Sequence, residues 1–157
     1  MLFGSYLLLS ALLPRWWSQQ VADVVAGRFT VGTFYGLFLG FTFTVLPLIA
    51  LVFAARRRGR GTSWRARIVL TAVAVVLAIP NLLTLSVVLG GGNAAHAGER
   101  IMDVEAPAFR GASLAGALIA VVITALSLML LASRKRTRRK LSSLREQIGA
   151  TSEQPAE

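Results

Sequence analysis

Apolar residues in this chain come in long blocks rather than at strand or amphipathic-helix intervals. Residues 29–55 carry no charge, and neither do residues 68–98 with His96 counted as neutral. Each run exceeds the ~20 apolar residues that cross a bilayer. A third block follows Arg110, over 111–132, and ends at the basic run Ser133-Arg134-Lys135-Arg136-Thr137-Arg138-Arg139-Lys140. The pattern predicts an all-α transmembrane bundle with spans at about 29–55, 67–89 and 111–132. Connections fall at 56–66 and 90–110, and a basic tail covers 133–157. Leu141, Leu144 and Ile148 of the tail fit a brief amphipathic helix, and its small polar end, from Gly149 on, is expected to be disordered.

The first apolar run, 1–13, is shorter. Thirteen helical residues reach about 20 Å against a hydrocarbon core of ~30 Å. It lacks the basic start and small-residue cleavage site of a signal peptide. A short span, an interfacial segment, and a span whose start lies upstream of Met1 all fit. A first span over about 2–17, short or truncated, is the expectation. The flank Pro14-Arg15-Trp16-Trp17 suits a headgroup layer, and residues 18–28 then form a short outer connection. Four spans place both termini on one side.

Charge orients the bundle. The net charge is +10 over 157 residues. On this topology the outer segments hold four basic and four acidic residues, and the inner ones thirteen basic and three acidic. The excess therefore sits on one face, as the positive-inside rule expects of the cytoplasmic side, and calls for no nucleic-acid partner. The expected location is a bacterial cytoplasmic membrane, crossed several times. Arg56, Arg57, Arg58, Arg60, Arg65 and Arg67 are read as topology and lipid anchors. Arg65 and Arg67 start a helix, where the macrodipole opposes them by ~0.3–1 kcal/mol each. An anionic leaflet attracts each by ~1 kcal/mol, which offsets that cost. Thr62 or Ser63 is the expected N-cap of the third span.

Within the spans, Gly32, Gly36, Gly40 and Thr44 make a small-residue row at four-residue spacing, matched by Ala112, Gly116, Ala120 and Thr124 further on. Lipid tails are as apolar as leucine, so helices associate through close packing of small residues. The two rows are expected to pack on each other within one chain or between copies, rather than line a pore. Pro47 and Pro80 each remove one helical hydrogen bond. Asn81 and Thr84, beside Pro80, make the most polar place inside a span and the candidate intramembrane site. The alternatives there are a kink with interhelical hydrogen bonds and a broken-helix binding site of the transporter kind.

Ionisable groups collect in the 93–110 connection, where His96, Glu99, Arg100, Asp103, Glu105 and Arg110 form a candidate partner-binding loop. As a docking surface they are expected to pair with Arg15, Asp23 and Arg28 of the first connection. One histidine among scattered carboxylates is no metal-ligand framework, and the chain holds no cysteine. No cofactor and no enzyme activity are expected. Apart from Arg15 and Arg67 at span ends, no acid, base or histidine lies inside a predicted span, which disfavours proton- or sodium-coupled transport by a single chain.

Leu-Leu-Pro-Arg-Trp-Trp at 12–17 and His-Ala-Gly-Glu-Arg-Ile-Met-Asp-Val-Glu-Ala-Pro-Ala-Phe-Arg-Gly at 96–111 resemble small actinobacterial integral membrane proteins labelled permeases. The resemblance runs from about Tyr6 to Arg136 and implies a longer first span; it carries no functional residues. Two functions follow as expectations. One is a permease-like protein acting as an oligomer or as a subunit of a larger assembly. The other is a non-transporting accessory protein that binds a partner through 93–110. The expected partners are an anionic bilayer and either a second copy or another membrane protein.

Overall fold

The computed structural model describes residues 2–56 and 64–152, with side chains over 12–56 and 64–134. Among the described residues five helices follow one another: α1 (Leu2–Val25), α2 (Phe29–Arg56), α3 (Trp64–Leu89), α4 (Asn93–Glu105) and α5 (Phe109–Ser152). No strand occurs among the described residues. Phe29–Arg56, Trp64–Leu89 and Phe109–Arg134 are long and apolar enough to cross a membrane. The chain divides into two compact units. The first is Met1–Val121 and the second is Val122–Glu157.

The second unit is helical as far as Ser152 and carries the basic run. Helix therefore continues through Gly149, where the composition predicts disorder; residues 153–157 lie outside the described ones.

In the first unit, α2 packs along α3 and α1 packs along α4. The spans themselves bury little. Phe34, Phe38, Val76 and Leu82 are all more than half exposed. Hydrocarbon gives such side chains no reason to turn inward, so only small residues need a neighbour. The apolar nucleus lies instead at the α4 end of the bundle. There Val21 and Val25 of α1, Val87 of α3, Met102 of α4, Ala106 and Phe109 close on one another, with Trp17 and Leu39 against them.

Two connections differ from the sequence reading. Residues 18–25, expected as loop, continue α1. Pro14, Ser18, Val21, Ala22 and Val25 are buried along one side of it, while Arg15, Gln19 and Asp23 are exposed. That is an amphipathic stripe, and its buried face meets another on α4. Residues 93–105, also expected as loop, form α4, with Ala95, Gly98 and Met102 buried. A short polar helix of this kind is stabilised by tertiary burial more than by propensity. It starts after Gly92, whose carbonyl accepts from the Ala95 and His96 amides at 3.0 and 3.1 Å. It ends just before Pro107, which disfavours helical geometry in the residue preceding it.

Between α1 and α2 the turn is tight. Ala26 and Gly27 both adopt left-handed backbone, at φ 49° and 71°. Glycine takes this conformation freely, whereas alanine is strained by ~1–2 kcal/mol. The Gly27 amide donates to the Glu105 carbonyl at 2.8 Å, tying the turn to the end of α4.

Candidate functional site

The expected small-residue rows come together. A Cβ on Gly32 would strike the Pro107 carbonyl, and one on Gly36 would strike the Phe109 carbonyl and the Ala112 side chain. At Gly40 it would strike the Ser113 carbonyl, and at Gly116 the Leu37 carbonyl and Phe41 amide. The start of α5 thus lies backbone to backbone against α2. Ala112 is buried here and Ala120 fully so. Ser113 was not singled out by sequence; its membership of the contact comes from its carbonyl, which sequence spacing does not reveal.

Thr44, the last member of the α2 row, turns to α3. Its hydroxyl donates to the Gly40 carbonyl at 2.7 Å and accepts from the Asn81 side-chain amide at 2.7 Å. The same amide lies 3.2 Å from the Gly40 carbonyl, to which it also donates. Thr84 donates to the Pro80 carbonyl at 3.1 Å and accepts from the Trp17 indole at 3.0 Å. Asn81 therefore joins α3 to α2, and Thr84 joins α3 to α1. Trp17, expected in the headgroup layer with Trp16, points inward, while Trp16 stays half exposed. The side chains of Asn81 and Thr84 thus make interhelical hydrogen bonds. No buried side-chain nitrogen or oxygen lacks a hydrogen-bond partner among the described residues.

Asn81→Leu keeps the branching of the side chain and removes both donor bonds. Interhelical hydrogen bonds in membranes average ~0.6 kcal/mol and reach ~1.7. The thermal midpoint in detergent should therefore fall by a few degrees, the equivalent of ~1 kcal/mol. A drop of the same size in a Thr44→Val background would show that the two residues do not act together.

Of the ionisable groups of 93–110, His96, Glu99 and Asp103 of α4 gather around Arg110. Arg110, at the start of α5, donates to Asp103 at 2.8 Å and to Glu99 at 3.0 Å. The His96 ring nitrogen Nδ1 lies 3.4 Å from the other Glu99 oxygen. Arg110 and Glu99 are each about a quarter exposed, at 27%. A doubly bonded, partly sheltered guanidinium holds two positions of α4 against α5. Arg100 and Glu105 stand outside this cluster, and no ion pair links it to Arg15, Asp23 or Arg28 among the described residues. On the far end of the bundle, Arg56 and Arg65 are exposed and Arg67 partly so; Arg57, Arg58, Arg60, Thr62 and Ser63 lie outside the described residues.

Two cavities adjoin Arg110. A polar one of about 340 Å³ is lined by Met102, Asp103, Ala106, Ala108, Arg110 and Gly111. An apolar cleft of about 450 Å³ runs between α3 and α5, from Arg110 and Val88 down to Asn81 and Ala117. No group of three or more histidine or carboxylate side chains stands close enough to hold a metal among the described residues.

Three membrane-length apolar helices and a polar end cluster define an all-helical, multi-pass membrane protein. No family model, curated protein or solved structure matches the chain.

Proposed function

We propose that this protein is a non-transporting accessory membrane protein that engages a partner through α4. The observation that carries the reading is that α4 is a fixed platform. Its inner face is closed by Ala95, Gly98 and Met102, all buried, and Arg110 clamps Glu99 and Asp103. Arg100 is left exposed, and Val104 is 76% exposed, pointing away from the bundle. A helix held rigid with its outward groups unpaired loses little entropy on binding. In the proposed topology the first part of α1 is a fourth span and both termini are cytoplasmic in a bacterial inner membrane. In the sequence, the basic residues at 56–67 and 134–140 support this orientation by the positive-inside rule. It sets α4 outside the cell, facing another membrane protein or its outer domain.

A permease-like role in an oligomer is the second reading. It is favoured by the exposed aromatic row on α2, where Phe34 and Phe38 stack at 6.5 Å between centroids, because one chain encloses too little interior for a pathway. The bonds made by Asn81 and Thr84 weigh against it.

A photocrosslinking residue at Val104, used in cells, should trap one protein of defined mass that mass spectrometry identifies. Arg100→Glu should lower that yield severalfold, and the same probe at Leu130 should not trap it. Equal capture at Val104 and Leu130 would defeat the docking reading.

A further inference from the structure

The polar cavity and the apolar cleft beside Arg110 share two residues, Arg110 and Gly111. The two therefore adjoin at the start of α5, with Asp103 on the α4 side and apolar side chains below. We infer that this pair of adjoining cavities binds a zwitterionic phospholipid of the surrounding bilayer, with its headgroup against Asp103 and Arg110 and an acyl chain in the α3–α5 cleft.

Length, polarity and charge converge on this occupant. Along α3 the cleft extends from Ala78 to Val88, about 15 Å of helix. That is half of a ~30 Å hydrocarbon core, the depth of one leaflet. The walls are apolar, through Leu82, Leu85, Val88, Leu114 and Ala117. Its volume of about 450 Å³ falls within the roughly 300–1,000 Å³ of small-molecule sites.

Charge selects the headgroup. One carboxylate and one guanidinium line the polar cavity, those of Asp103 and Arg110. The Asp103 side chain is 64% exposed, open to an ammonium group. Arg110 uses one nitrogen for Asp103 and another for Glu99. Of the five N–H donors of a guanidinium, those left over suit phosphate oxygens. An anionic headgroup without an ammonium would meet Glu99 and Asp103 against a single Arg110 and be disfavoured. A lipid carrying both charges satisfies both sides. The site uses the groove side of Asp103 and Arg110, not the outward Arg100 and Val104, so it stands whether or not α4 docks a protein.

The test is native mass spectrometry of the detergent-purified full chain, titrated with equal amounts of phosphatidylethanolamine and phosphatidylglycerol. The expected result is a one-lipid adduct favouring phosphatidylethanolamine by about fivefold, the size of one partly exposed ion pair. Asp103→Asn should abolish the preference, because Glu99 then balances Arg110 and no carboxylate is left over for the ammonium. Leu114→Trp fills the cleft and should cut retention of either lipid by about tenfold, about the loss of one well-buried apolar group. Leu118→Trp lies on the same helix outside the cleft and should leave retention unchanged. Leu114 and Leu118 are both more than half exposed, so neither substitution invades the core. Retention unaffected by Leu114→Trp overturns the site. A preference for phosphatidylglycerol in the unmodified chain, or no preference that Asp103→Asn alters, overturns the headgroup assignment.

Discussion

Gly36→Leu should lower the thermal unfolding midpoint of the detergent-purified protein by roughly 10 °C, corresponding to ~3 kcal/mol. The first added atom would already touch the Phe109 carbonyl, the Ala112 methyl and the Ser113 amide. These belong to the opening turns of α5, and backbone does not swing aside as a long side chain does. The helices must separate, and the contacts made at Gly32, Gly40 and Gly116 are lost together. Gly111→Ala provides the contrast on the partner helix. Nothing lies within 4 Å of a Cβ there, so the substitution should be neutral or stabilising by up to ~1 kcal/mol of helix propensity. Differential scanning fluorimetry on both variants decides the matter. A midpoint for Gly36→Leu within a degree of the unmodified protein would mean that α2 and α5 do not pack as described.

The second large effect should be local. At Gly98 a Cβ would press on the Ser18 hydroxyl and the Pro14 carbonyl, where the Ser18 hydroxyl already donates to Pro14 at 2.8 Å. Gly98→Leu should therefore lift α4 off α1 while α2 and α3 keep their own contact. The expected cost, ~2–3 kcal/mol, corresponds to a roughly 100-fold rise in amide exchange over 93–105. Hydrogen–deuterium exchange resolved by peptide reads this directly. Faster exchange spread evenly over α2 and α3 would show that the cap and the spans unfold as one unit. Because α4 carries the proposed docking face, the Val104 crosslink should weaken in the same variant.

These two glycines differ in how visible their roles are beforehand. Gly36 sits in a row of small residues at helical spacing, and in lipid such a row has one obvious use. Gly98 has no such company. Its neighbours His96, Glu99 and Arg100 make the segment look like a solvated loop, and the burial of Ala95, Gly98 and Met102 becomes meaningful only when α1 supplies a surface. The same holds for Ser18 and Val21, which follow two tryptophans and an arginine and suggest that the first helix has already left the membrane.

Residues such as Asn81 and Arg110 are intermediate. Each is conspicuous by type: a polar amide beside a proline inside an apolar span, and a cation just before another span. Their partners are not conspicuous. Asn81 reaches Thr44, thirty-seven positions away, and Gly40, forty-one away. Arg110 selects Glu99 and Asp103 and leaves Glu105 and Arg100 aside. Composition suggests a charged loop; geometry makes it a clamp.

The sequence alone determined that three long apolar segments form membrane-length helices, because exclusion of charge over ~20 residues needs no knowledge of neighbours. It also marked the small-residue rows through which α2 and α5 approach. Only the tertiary structure decided that α1 continues to Val25, that 93–105 is a helix packed on it, and that a cavity beside Asp103 and an apolar cleft both border Arg110. The physical reason is the range of the interactions. Partition into lipid acts residue by residue and leaves its mark along the chain, whereas a short amphipathic helix and a two-sided cavity exist only where distant segments meet.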